Sequence, residues 1–356
     1  MEYTSPLLEV PGAVAGSGAD AGVAAHYGNP LMEQRALVRG TAVVDQSHWD
    51  VVEISGPDRH KWLTTLSSQV LVPGESQNVL LLTIQGRIEH FLRVVDTGDR
   101  MLVALDAGRA PALVEFLNSM KFMYQVEVRD AGEEFAVVQA ARDTVPLESV
   151  VFTDPWPEVA PGGVSYAAGA DHPEDAARYL HFISRARLAD LPEALATANL
   201  TLAGTMASEA LRIAAWRPRF SFDVDDKSIP HELDLLRNAV HLEKGCYKGQ
   251  ETIARVHNLG HPPRRLVFLS LDGSIHGTPA VGSPVNFSGR TVGTVTSVGQ
   301  HHEMGPIALA VIKRAVDPAA DLQVTSGDDS YAAAQEVIVS PDAGRTAPRP
   351  TGFLRR

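Results

Sequence analysis

The sequence predicts an α+β fold with mostly antiparallel sheet, followed by a small β-barrel or sandwich. Three observations carry that prediction. Strand-like runs in the region up to residue 262 are interrupted by isolated helices, with no regular strand–helix alternation. After Arg265 the texture changes to short β-rich runs separated by glycine turns. The 356 residues allow two or three domains, taking roughly 150 residues for each.

The elements follow in order. Residues 11–28 are rich in Gly and Ala with few large apolar groups, so residues 1–28 are expected as a flexible arm. Runs 41–44 and 51–54 are β-branched and apolar and end at Gly56-Pro57-Asp58. A helix is expected from Asp58, with Trp62, Leu63 and Leu66 at helical spacing. Runs 78–84, 88–95 and 101–105 read as strands, the first two joined by a turn at Gln85-Gly86-Arg87. Residues 110–120 read as a helix, and 124–128 and 135–139 as strands. Residues 141–175 lack a period and read as surface excursions, and 179–183 returns to strand. A helix spans 205–216, with Ala207, Ala210, Leu211 and Ala214 on one face and Pro218 stopping it. Residues 252–257 are helical or extended. The C-terminal runs are 266–271, 285–287, 291–298, 307–312 and 336–339. The domain limits expected are 29–262, with 53–134 as an inserted lobe, then 263–342, then a disordered tail over 343–356.

Composition excludes several function classes. The formal net charge of -12 disfavours nucleic acid and repels anionic membrane surfaces. One cysteine rules out an internal disulfide scaffold and a multi-cysteine zinc site. No metal site is expected from the histidines, which show no H-E-x-x-H spacing. The N-terminus has neither a basic nor an apolar leader region, and no apolar run is long enough for a bilayer. A lone thiol fits a reducing compartment, so the expected location is cytoplasmic.

The segment richest in chemistry is Lys244-Gly245-Cys246-Tyr247-Lys248-Gly249-Gln250-Glu251-Thr252. Lys244 and Lys248 flank the cysteine, and nearby cations or a helix start near Gly249 favour its thiolate. The glycines allow a tight turn and close approach of a ligand. Gln250 and Glu251 add an amide and a carboxylate, and Arg255 a cation. Cys246 can equally be core filler, the usual fate of a free cysteine. A second cluster holds Arg212, Arg217 and Arg219 beside Trp216 and Phe220. It suits a flat anionic heterocycle, or a solvated loop with ordinary ion pairs. The acidic run 223–226 lacks the glycine and terminal glutamate of an EF-hand loop.

Residues 244–251 resemble the K-G-C-Y-x-G-Q-E signature of the folate-binding YgfZ family in full. The stretch 228–255, including Pro230, His231, Glu232 and Arg255, is also similar to that family. Weaker similarity covers Val43-Val44-Asp45-Gln46-Ser47-His48, Ile54-Ser55-Gly56-Pro57-Asp58 and the 289–298 segment, and relates the chain to the glycine cleavage T-protein, an aminomethyltransferase.

The resemblance implies a three-part ring of two α+β lobes and a C-terminal β-barrel around a tetrahydrofolate channel. It implies a factor for assembly or repair of iron–sulfur proteins, with Cys246 as nucleophile, transient cluster ligand or redox group. Lys244 and Lys248 would assist it. The folate, or another reduced folate, would contact Glu209, Arg212, Trp216, Phe220, Tyr247, Gln250, Glu251 and Arg255. Implied partners are iron–sulfur clients or assembly proteins. Alternatives are a folate-dependent aminomethyl or one-carbon transferase, and a non-catalytic folate-binding scaffold, so enzymatic turnover is left open. Two departures stand out. His90 occupies the position of the T-protein's aspartate, and Arg212-Ile213-Ala214-Ala215-Trp216 stands where relatives read R-I-E-A-G.

Overall fold

The computed structural model describes residues 3–167, 173, 177–274 and 277–346. It is an α+β structure with two five-stranded sheets and a closed six-stranded barrel.

The first sheet runs in the order Ser149–Thr153, Tyr179–Ser184, Phe135–Ala140, Ala42–Asp45, Thr201–Ala203. Its last pair is parallel and the others antiparallel. The second runs Ser76–Leu82, Ile88–Asp96, Arg100–Leu105, Asp50–Ser55, Glu127–Asp130, antiparallel throughout. All its strands thus lie between two consecutive strands of the first sheet. The barrel closes when Arg264–Leu271 pairs with both Gly305–Lys313 and Asp329–Val337. Its interior is packed with Val267, Leu269, Val285, Ala310 and Tyr331, as a barrel this small requires.

Three sequence expectations need correction. The N-terminal arm is folded. Pro6–Glu9 is a short 3-10 helix, Val14–Ala15 pairs with Ala24–His26, and Leu7 and Val23 are buried. Its small residues allow close backbone packing. A Cβ on Gly22, at φ 89, would lie 2.3 Å from the Tyr3 carbonyl oxygen, and one on Gly204 2.2 Å from that of Ala25. Residues 141–175 are not all surface excursion, since they contain the strand Ser149–Thr153 and the buried Trp156. The tail is attached at its start: Thr346 donates its N–H to the His257 carbonyl at 3.1 Å and Ala343 packs on the core. Residues 347–356 lie outside the described residues.

The main apolar cluster binds the parts together. It contains Leu80 and Phe91 of the second sheet, Ile213, Phe220, Tyr247 and Ile253, and Phe268 and Leu309 of the barrel. The candidate segments therefore sit against one shared core.

Candidate functional site

The 244–252 segment forms an exposed turn leading into the helix Gln250–Leu259. Gly249, at φ 89, caps that helix in the left-handed region. A Cβ there would stand 2.5 Å from the Thr83 carbonyl oxygen and 3.0 Å from the Gly86 Cα. The turn is thus pressed onto the 83–87 hairpin, and only glycine fits. Gln250 Nε2 donates back to the Lys244 carbonyl at 3.0 Å and stiffens the loop. Tyr247 is buried beneath it and belongs to the main core. Cys246 is exposed, so the reading of it as core filler falls.

The two lysines are engaged elsewhere. Lys244 Nζ donates to the carbonyls of Thr64 and Ser67 at the end of the helix Arg59–Leu66 and lies 4.7 Å from the Tyr247 ring centre. Burial pushes its pKa down to about 8. Lys248 Nζ pairs with Glu89 at 3.1 Å and lies 5.4 Å from the Phe116 ring centre. Both brace the turn against the second sheet's lobe.

The arginine cluster is a closed ion-pair network. Arg219, 1% exposed, meets Asp20 at 2.7 Å, Glu209 at 3.0 Å and Asp106 at 3.3 Å. Arg212 meets Asp223 and Glu209 at 2.8 Å each, and donates to the Ser297 hydroxyl and the Arg217 carbonyl at 2.7 Å each. Burial alone would raise the Asp20 carboxyl, and Arg219 with His48 brings it down to about 2. Asp106 is held well below the usual range: its burial is outweighed by Arg219 and Arg93. Asp20 and Asp106 were missed in the sequence because they lie 199 and 113 residues from Arg219.

The residues expected around a folate do not form one cradle. Glu209 and Arg212 line a cavity of about 580 Å³ with Gln34, Met206 and Phe222. Trp216, Phe220 and Tyr247 belong to the core or pack on it. Glu251 and Arg255 are exposed on the helix after the cysteine turn. His90 is buried among Phe91, Leu105, Asp106, Arg109 and Phe220, where there is no room for a water molecule. Arg212 and Arg219 already carry carboxylates, and Ala214 offers none to a pterin. Around His90 the side chains present thus leave a pterin no space, whereas the cavity beside Glu209 and Arg212 is open. Among the described residues no cluster of His, Cys, Asp and Glu is placed to hold a metal ion. No helix there is long and apolar enough to cross a membrane.

His231 and Glu232 of the similar stretch are held by neighbouring segments. Arg264 grips Glu232 at 2.7 Å and Asp225 at 2.6 Å, tying the 225–233 segment to the first barrel strand. His231 is fully buried and its Nε2 lies 3.1 Å from the Ile253 carbonyl oxygen. Burial pushes its pKa down to about 3. Unfolding below the ordinary 6.5 therefore takes up a proton, and stability falls from pH 6.5 toward pH 3. At pH 5 this one site is expected to cost about 2 kcal/mol. Urea unfolding of His231→Gln should show an acid limb shallower by one proton, and an unchanged slope would refute the assignment.

The whole-chain comparison decides the fold. The glycine cleavage system aminomethyltransferase T of Bartonella henselae superposes with a TM-score of 0.75 over 96% of this chain and 97% of that one, at 18% identity. The fold is the aminomethyltransferase fold. No family model matches the sequence. A putative chloroplastic transferase of Arabidopsis thaliana is 25% identical over 93% of this chain and 78% of its own length. An aminomethyltransferase of Streptomyces avermitilis is 25% identical over 81% and 82%. A mitochondrial iron–sulfur cluster assembly factor IBA57 homolog of Chaetomium globosum is 27% identical over 68% of this chain and 59% of that protein. The chain is thus similar in sequence both to transferases and to iron–sulfur cluster assembly factors.

Proposed function

We propose that this chain serves the assembly or repair of iron–sulfur proteins in a reducing, cytoplasm-like compartment, with the Cys246 thiol as its working group. The observation that carries this reading is the presentation of Cys246. The chain's one cysteine is exposed on a turn held by Gly249, Gln250 and two braced lysines. A thiolate so displayed can take one coordination position on an iron atom of a cluster held by a client protein, and then release it. Its partners would be iron–sulfur clients or assembly proteins, and the similarity to an iron–sulfur cluster assembly factor supports that choice.

The second reading is a folate-dependent aminomethyl or one-carbon transferase, favoured by the similarity to an aminomethyltransferase. It would rest on a reduced folate, for which the residues around His90 leave no space, and on a carboxylate where His90 stands. A scaffold without chemistry is the third. Cys246→Ser separates them. In a strain lacking the gene, wild type should restore the activity of a [4Fe–4S] enzyme under oxidative stress, and the serine variant should restore under about a tenth of it, the loss expected when an essential group is removed. Full restoration by Cys246→Ser would overturn the thiol reading. Aminomethyl transfer to tetrahydrofolate by that same variant would establish the second.

A further inference from the structure

We infer that the seam where the family resemblance puts a reduced folate, around His90 and Ala214, is closed in this chain by its own Trp216 and Phe220, which share one apolar cluster. The closure starts in the backbone. The helix Thr205–Ala214 ends with the Arg217 N–H donating to the Arg212 carbonyl at 3.1 Å and the Trp216 N–H to that of Ile213 at 3.0 Å. This is a Schellman ending, and the residue at its left-handed position is usually glycine. Trp216 occupies it at φ 56. A bulky side chain in that conformation must be held by its tertiary contacts.

The indole packs, half-buried, on the cluster that joins Phe91, Phe220, Tyr247 and Phe268. Ala214 packs on the same cluster and brings no carboxylate. Next along the seam, Arg109 lies 4.5 Å from the Phe220 ring centre. The space between those two residues, His90 and Asp106 admits no water, whereas sites for drug-sized ligands measure roughly 300–1,000 Å³. Charge closes the seam as well. The guanidinium groups of Arg212 and Arg219, which would be needed for a glutamate tail, are bonded to Asp20, Asp106, Glu209 and Asp223. In that space a pterin finds neither volume nor a free carboxylate for its amino edge, and Arg212 and Arg219 are already paired.

The test is calorimetric titration with folinic acid, a stable reduced folate, on the full chain. Wild type should give no saturable binding up to about 1 mM, and Trp216→Gly with Ala214→Glu should bind with a Kd at least about tenfold below that limit. Glycine suits the left-handed position, and a melting curve confirms that the double variant is folded. Trp216→Gly alone serves if the added carboxylate unfolds it. One-to-one binding by wild type below about 0.1 mM would overturn the closure. So would a folded glycine variant that still fails to bind. Neither result bears on the Cys246→Ser assay, because that thiol is exposed outside the seam.

Discussion

Replacing Arg219 with methionine is expected to destabilise the protein by about 3–5 kcal/mol, the usual cost of stripping one partner from a buried charge network. Three carboxylates converge on this guanidinium. Asp106 keeps Arg93 at 3.2 Å and Glu209 keeps Arg212 at 2.8 Å. Among the described residues Asp20 keeps the His48 ring, at 3.1 Å. The N-terminal segment should therefore loosen first, and limited proteolysis should cut within residues 5–26 before global unfolding. The sign with pH is also set. Asp20 sits at about 2 in the folded chain against an ordinary 3.8. Its stabilising share is complete above the ordinary value and is lost as pH falls toward 2. The deficit of the methionine variant should shrink over that window. A urea-unfolding difference below about 1 kcal/mol at neutral pH would place the network among ion pairs of no energetic consequence.

Gly249→Ala is expected to remove function while keeping the thiol. The left-handed φ costs an L-residue roughly 1–2 kcal/mol, and the added Cβ would press on the Thr83 carbonyl oxygen at 2.5 Å. The turn must shift away from the hairpin, and Cys246 moves with it. Restoration of a [4Fe–4S] enzyme should drop by about tenfold or more, the factor that 1.4 kcal/mol of lost turn population gives. Alkylation of the exposed thiol should continue. Gly245→Ala is the control, since a Cβ there meets nothing within 4 Å. If Gly249→Ala works as well as wild type, the placement of the thiol is immaterial and Cys246 acts merely as an accessible group.

The two variants mark the division between sequence and tertiary structure. The sequence by itself determined the local elements. Alternating apolar runs around Gly86 specify the hairpin Ser76–Leu82 and Ile88–Asp96, since side-chain period and turn chemistry are local. The helix Thr205–Ala214 was legible from its apolar face, and the barrel from its glycine-punctuated runs. The cysteine turn was legible too, because its glycines, lysines and thiol lie within nine consecutive residues. The strands Leu322–Ser326 and Asp329–Val337 were largely missed. Their large buried apolar residues are few, Leu322, Val324 and Tyr331, between small or polar ones, and their outer edges find partners only in the distant strands Pro284–Phe287 and Arg264–Leu271. The tertiary structure decided the meaning of the charges. An arginine that grips a ligand and one that grips a carboxylate from a distant segment look alike in sequence. Arg219 draws its partners from positions 20, 106 and 209, and Coulomb attraction depends on separation in space, which the chain acquires only on folding. The same holds for Trp216. Its composition suggested a stacking platform, and packing against the shared core made it part of the wall.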